Sequence, residues 1–90
     1  MQLDGELINK NGHDYLIEVL DLPVYYGRNL DALYDCLTML EEDIEIINAS
    51  SVDKDVLDTF IDASEENDYL TLKVSGLWHI ILFPYLFFIN

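Results

Sequence analysis

Carboxylates and tyrosines carry most of the chemistry this chain can offer, and residues 22–38 bring two of the eighteen acids together with three of the six tyrosines. Asp31 and Asp35 stand four residues apart, a spacing that makes them neighbours on the surface of a helix, with Tyr25, Tyr26 and Tyr34 close by in sequence. Two such carboxylates could form an acid/base pair or part of a cation site. Either use needs complementary groups, and none is readable. The chain has no glycine-rich phosphate loop, no HExxH, no paired Cys/His ligand set and no Ser-His-Asp constellation. His13 has no second His or Cys at ligand spacing and reads as a surface residue. Cys36 follows Asp35, whose charge raises a thiol pKa rather than lowering it, so a nucleophile is not expected. No enzymatic activity, cofactor or metal is therefore expected. Binding uses the same residues better, because exposed acids beside tyrosines combine rigid aromatic area with charges that lose water only on docking.

The elements that must position these groups follow from local chemistry. Pro23 fixes one φ and Gly27 permits a positive one, so Tyr25 and Tyr26 sit in a constrained loop that presents their rings. Asn29 is a good N-cap. From there Leu30, Leu33, Leu37 and Leu40 recur at spacings of three and four, which predicts a helix with one apolar face. Asp31, Tyr34, Asp35 and Thr38 take the opposite face. The two aspartates repel each other mildly there, and Asp31 recovers part of that cost at the positive end of the helix.

Around this unit the chain alternates strands and helices. A short strand is expected at about residues 1–3, then a turn at Asp4-Gly5, a loop at residues 9–12, and a helix from His13 or Asp14 to Leu20. Glu41, Glu42 and Asp43 are poor chemistry for a helix C-terminus, so they read as an exit loop or as charge kept for another purpose. Residues 44–49 are rich in β-branched isoleucine and suit a buried strand. Ser50 or Ser51 could cap the next helix, which a stripe of Val52, Val56, Leu57, Phe60 and Ile61 extends over about residues 53–66. A third strand is expected at residues 69–74. This alternation predicts a small α/β domain with a three-stranded parallel sheet packed with helices.

Ninety residues allow one domain with a modest core. Eighteen acids against four bases give a formal charge of -14, which argues against direct contact with nucleic acid or an anionic membrane and favours a basic protein partner. One cysteine permits no internal disulfide, so a reducing compartment such as the cytoplasm is expected. The N-terminal residues lack the basic and apolar regions of a secretory signal. Residues 77–89 form an apolar run broken by His79 and Pro84, shorter than the roughly 20 residues a membrane-spanning helix needs. A strand or hairpin packed on the sheet, a self-association surface, or an added extension over residues 75–90 are the readings open for it.

The run Tyr25-Tyr26-Gly27-x-Asn29-Leu30-Asp31-Ala32-Leu33-x-Asp35-Cys36-Leu37-Thr38 resembles the signature of the barstar family, intracellular protein inhibitors of barnase-type ribonucleases. The resemblance implies a barstar-like fold and a 1:1 complex in which an acidic helix and aromatic loop block a basic nuclease active site by imitating RNA phosphates. It implies that Asp35 enters the phosphate site as dominant anchor. It also implies that Tyr25 packs near the catalytic histidine, and that Asp31, Gly27, Asn29, Leu30 and Tyr34 add contacts. Phe60-x-Asp62-Ala63 matches more weakly and gives Asp62 the place of a contacting glutamate. Arg28 stands where the family has an acid, within reach of Asp31, and Tyr34 where it has a tryptophan; the apolar tail also departs from the pattern. These departures keep a second expectation alive, an acidic interaction module or nucleic-acid mimic directed at another basic protein.

Overall fold

A computed structural model describes residues 1–77, and the expectations for the apolar tail beyond them lie outside the described residues. Three strands, β1 (Gln2–Asp4), β2 (Glu42–Ile47) and β3 (Leu70–Val74), form a parallel sheet in the order β1-β2-β3. Leu3 pairs with Ile46, and Ile44 and Ile46 with Leu72 and Val74. The period-two alternation of strands sends Leu3, Ile44, Ile46 and Leu70 into the core. Gln2, Asp43, Thr71 and Lys73 are exposed.

Four helices, α1 (Gly5–Asn11), α2 (His13–Leu20), α3 (Leu30–Leu37) and α4 (Lys54–Glu66), supply most of the rest of the core, and Leu22, Tyr26, Ala49 and Val52 from the connections complete it. Phe60 and Ala63 of α4 and Leu33 and Leu37 of α3 have no exposed surface, and the two helices pack on each other. Burying large side chains such as Phe60, Leu33 and Leu37 stabilises by about 1.5–3 kcal/mol each, so the contact that holds α3 against α4 is also a principal source of stability.

The three strands, α2, α3 and α4 match the expected architecture, with four local differences. First, residues 5–11 form a helix rather than a turn and loop. Asp4 caps it by accepting a hydrogen bond from the Glu6 amide at 2.9 Å. Gly5 is needed because a Cβ there would come within 2.2 Å of the Asn48 carbonyl oxygen. Second, β2 starts at Glu42, drawing two of the three acids into the strand, where the Glu42 amide donates to the Tyr69 carbonyl. Third, Ser50 and Ser51 lie in a 3-10 turn (Ala49–Ser51), while Asp53 holds the α4 N-cap position without a side-chain hydrogen bond. Fourth, the apolar stripe of α3 narrows: Leu33 and Leu37 are buried, whereas Leu30 at the first helical position is exposed.

Candidate functional site: the tyrosine loop and α3

The site is built on the connection from α2 to α3. Asp21, in a left-handed conformation (φ 52°), ends α2 as its amide donates to the Ile17 carbonyl. Leu22 is buried and anchors the entry to the loop. A tight turn follows, closed by the Tyr26 amide donating to the Pro23 carbonyl at 2.9 Å. That turn sends the two tyrosines opposite ways. Tyr25 is 85% exposed and Tyr26 only 7%. The expectation that both rings would be presented therefore holds for Tyr25 alone, because Tyr26 is the peg that fastens the loop to the body.

The hydroxyl of Tyr26 shares a hydrogen bond of 2.7 Å with His13 Nδ1, and their rings are tilted at 55° with centroids 5.5 Å apart. Burial, joined by the neighbouring Cys36 and partly opposed by Arg28, pushes the Tyr26 hydroxyl up to about 12, so it is neutral at physiological pH. His13, expected on the surface, is half-buried at the start of α2 for this reason. Asp14, the next residue, holds the Arg28 guanidinium at 2.5 Å. Arg28 itself sits in the left-handed region (φ 55°) and pairs across to α2 rather than with Asp31. Two consecutive residues of α2 thus grip two residues of the loop. Neither contact is legible in the sequence, because each joins residues thirteen or fourteen positions apart.

Asn29 joins loop and helix. Its Oδ1 accepts from the Ala32 amide at 2.8 Å, the expected cap, and its Nδ2 donates to the Gly27 carbonyl at 3.2 Å. The side chain is used internally at both ends, and it orients Gly27 and the start of α3. Along α3, Asp31 and Asp35 are exposed, while Tyr34 is half-buried against the core. Thr38 closes the helix, its hydroxyl donating to the Asp35 carbonyl at 2.8 Å. Burial first, and then Asp35, raises the pKa of the half-buried Cys36 thiol, which suits a packing role.

Of the candidate residues, Tyr25, Gly27, Asn29, Leu30, Asp31, Tyr34 and Asp35 fall on this continuous loop and helix. Asp62 is exposed on α4, the helix packed against α3. Exposed Met39, just past α3, and Tyr25 line a groove together with Leu22, Pro23, Cys36 and Leu40. Among the described residues no three His, Cys, Asp or Glu side chains converge on a metal position, and no helix is long and apolar enough to cross a membrane. What this arrangement offers chemically is negative potential and apolar area on a braced support.

A small parallel sheet packed with four helices, one of them acidic and set behind a tyrosine loop, is an α/β domain of the barstar-like class. The chain belongs to the family described as Barstar (barnase inhibitor), whose profile matches residues 3–72. It is 44% identical over 64 residues to YrdF of Bacillus subtilis (strain 168), a protein named as a candidate ribonuclease inhibitor. That alignment covers 60% of this chain and 70% of the relative. It is also 37% identical over 70 residues to a protein of Clostridium acetobutylicum (strain ATCC 824) named DNA ligase 1. There the match covers 77% of this chain and 11% of the other.

Proposed function

We propose that the protein is a stoichiometric inhibitor of a basic, barnase-like ribonuclease, acting in the cytoplasm of the cell that makes the nuclease. The observation that carries this reading is the exposed pair Asp31 and Asp35 on α3 beside exposed Tyr25, in a chain of the Barstar family. A ribonuclease active site must be basic to hold a phosphate backbone. Carboxylates four residues apart on a rigid helix can occupy phosphate positions, and a tyrosine ring can take the place of a base. Asp35 is the proposed anchor, with Asp31 as second carboxylate. Tyr25 and Tyr34 supply aromatic surface, Gly27, Asn29 and Leu30 supply the loop edge, and Asp62 supplies a flanking acid. No catalytic step is required of the chain: it excludes RNA by filling the site.

Titrating a secreted barnase-type ribonuclease with the protein tests the reading. Activity should fall linearly to an end point at one equivalent. Full activity in the presence of excess protein, for every nuclease of that class tried, would overturn it.

A second reading has one observation in its favour. A stretch like this one forms part of a protein whose name is that of a ligase rather than an inhibitor, so the same acidic surface could serve as an interaction module for another basic protein. Capture from the source cells separates the two, since a small ribonuclease is the expected prey only under the first.

A further inference from the structure

The chain is strongly acidic, yet its one arginine lies inside the tyrosine loop, next to the residues proposed to meet a basic partner. An arginine at that position would repel such a partner if its side chain were free to turn toward it. The structure shows where it goes instead. Its left-handed backbone (φ 55°) sets the side-chain direction, and the guanidinium reaches back to Asp14 at the start of α2. The same helix turn carries His13, which holds Tyr26, so loop and α2 are joined at two adjacent points.

We propose that Asp14 is a specificity-determining and positioning residue of the interface: by pairing with Arg28 it turns the loop's only guanidinium toward α2 and away from the basic nuclease. This rests on the ribonuclease-inhibitor reading given above. Asp14 touches no partner in this scheme and works through Arg28. Loss of Asp14 removes one negative charge, which slows association with a basic protein, and also releases Arg28. The first effect is independent of residue 28 and the second requires it. The two are therefore separable in a double-mutant cycle. A glutamate in place of Asp14 keeps the charge and can still reach, so it should preserve most of the effect.

The test has one arm with a nuclease and one without. With a barnase-type ribonuclease at low ionic strength, Asp14→Asn should slow association about threefold or more in the wild-type background and less than about 1.5-fold in an Arg28→Gln background. Asp14→Glu should stay near wild type. Equal effects of Asp14→Asn in both backgrounds would overturn the specificity role. Without any nuclease, the amide resonances of Gly27, Arg28 and Asn29 should shift in Asp14→Asn while those of the sheet stay in place. Unmoved loop resonances would overturn the positioning role whatever the nuclease does. If the wild-type protein inhibits no nuclease, the functional reading falls and the specificity role with it, while the resonances still decide whether Asp14 positions the loop.

Discussion

Asp35 is exposed on α3 and belongs to neither of the two ion pairs found among the described residues, Arg28–Asp14 and Lys54–Asp58. Replacing it by alanine removes no packing, so Asp35→Ala should leave stability within about 0.5 kcal/mol of wild type by denaturant unfolding. Binding to the proposed nuclease should weaken by about 2 kcal/mol or more, about 30-fold, the general threshold of a hot spot. A folded variant that inhibits normally would remove Asp35 from its role. Tyr26 gives the opposite case, a residue important for stability and not for contact. Its pKa is raised from 10.0 to about 12 in the folded protein. Its contribution is therefore fully present below pH 10 and fades as pH rises from about 10 to 12, because the folded state then holds a proton the unfolded chain releases. Cys36, also raised, adds loss of the same sign from about its ordinary thiol pKa upward. Chemical denaturation between pH 8 and 11.5 should show falling stability, by up to about 2 kcal/mol from Tyr26. Tyr26→Phe should flatten that slope above pH 10, at the cost of the hydrogen bond to His13. The acids, the constrained tyrosine loop and the Asn29 cap were legible in the sequence because they follow from local spacing and turn chemistry, although the same chemistry presents Tyr26 as well as Tyr25. Asp14 and Arg28 are fourteen residues apart, and His13 and Tyr26 thirteen. Which of the nearby acids an arginine takes depends on how a helix lies against a loop, and no local pattern states that.

Asn67 shows how separate elements are held in one arrangement. It is the buried polar side chain among the described residues, and its Nδ2 donates to the carbonyls of Leu37 and Leu40 at 3.0 and 2.7 Å. Its Oδ1 accepts from the Tyr69 amide at 3.0 Å, and its backbone amide donates to the Ala63 carbonyl. One residue thus satisfies the open carbonyl end of α3, closes α4 and starts β3. Alanine there would leave buried carbonyls without donors, so Asn67→Ala should destabilise by about 2–4 kcal/mol in denaturant unfolding. Asn67→Asp keeps the shape but turns the donor into an acceptor facing two carbonyls, and should cost at least as much. A change below 1 kcal/mol for both would mean that α3 is held by apolar packing alone. From the sequence, Asn67 reads only as the break after a helix, since its partners lie 27 and 30 residues upstream. The same limit explains α1. Asp4-Gly5 has the composition of a turn, and that glycine is present because Asn48, also left-handed at φ 52°, crosses directly above it. Helices whose faces repeat at three and four, α3 and α4, were readable because burial itself writes that period. A seven-residue helix begun by a glycine carries too little of it.

At the scale of the whole molecule, charge acts on folding and on binding with opposite sign. A formal charge of -14 on ninety residues is self-repulsive, and only two ion pairs offset it among the described residues. Both are exposed, and exposed pairs stabilise by about 0–1 kcal/mol. Lys54 does gain from its pairing, since the hydrogen bond and charge of Asp58 raise its pKa, but one helix-surface pair does not neutralise the acids around it. Salt shortens the reach of unpaired charges, to about 10 Å at 0.1 M and about 3 Å at 1 M. Relief of even about 1 kcal/mol of repulsion would raise the melting temperature of a domain this small by about 4–8 °C. The melting temperature followed by circular dichroism should therefore rise between 20 mM and 500 mM sodium chloride. The same salt screens the attraction between an acidic inhibitor and a basic nuclease, so the association rate measured by stopped flow should fall over that range, as expected for steered encounters, of which barnase and barstar are themselves a standard example. Dissociation, governed by close contacts, should change much less. Opposite responses of stability and association would identify the negative potential as a feature maintained at the expense of the fold. A melting temperature that falls with salt would show that the acids are already compensated within the folded chain, and an association rate indifferent to salt would leave contact shape as the sole basis of recognition.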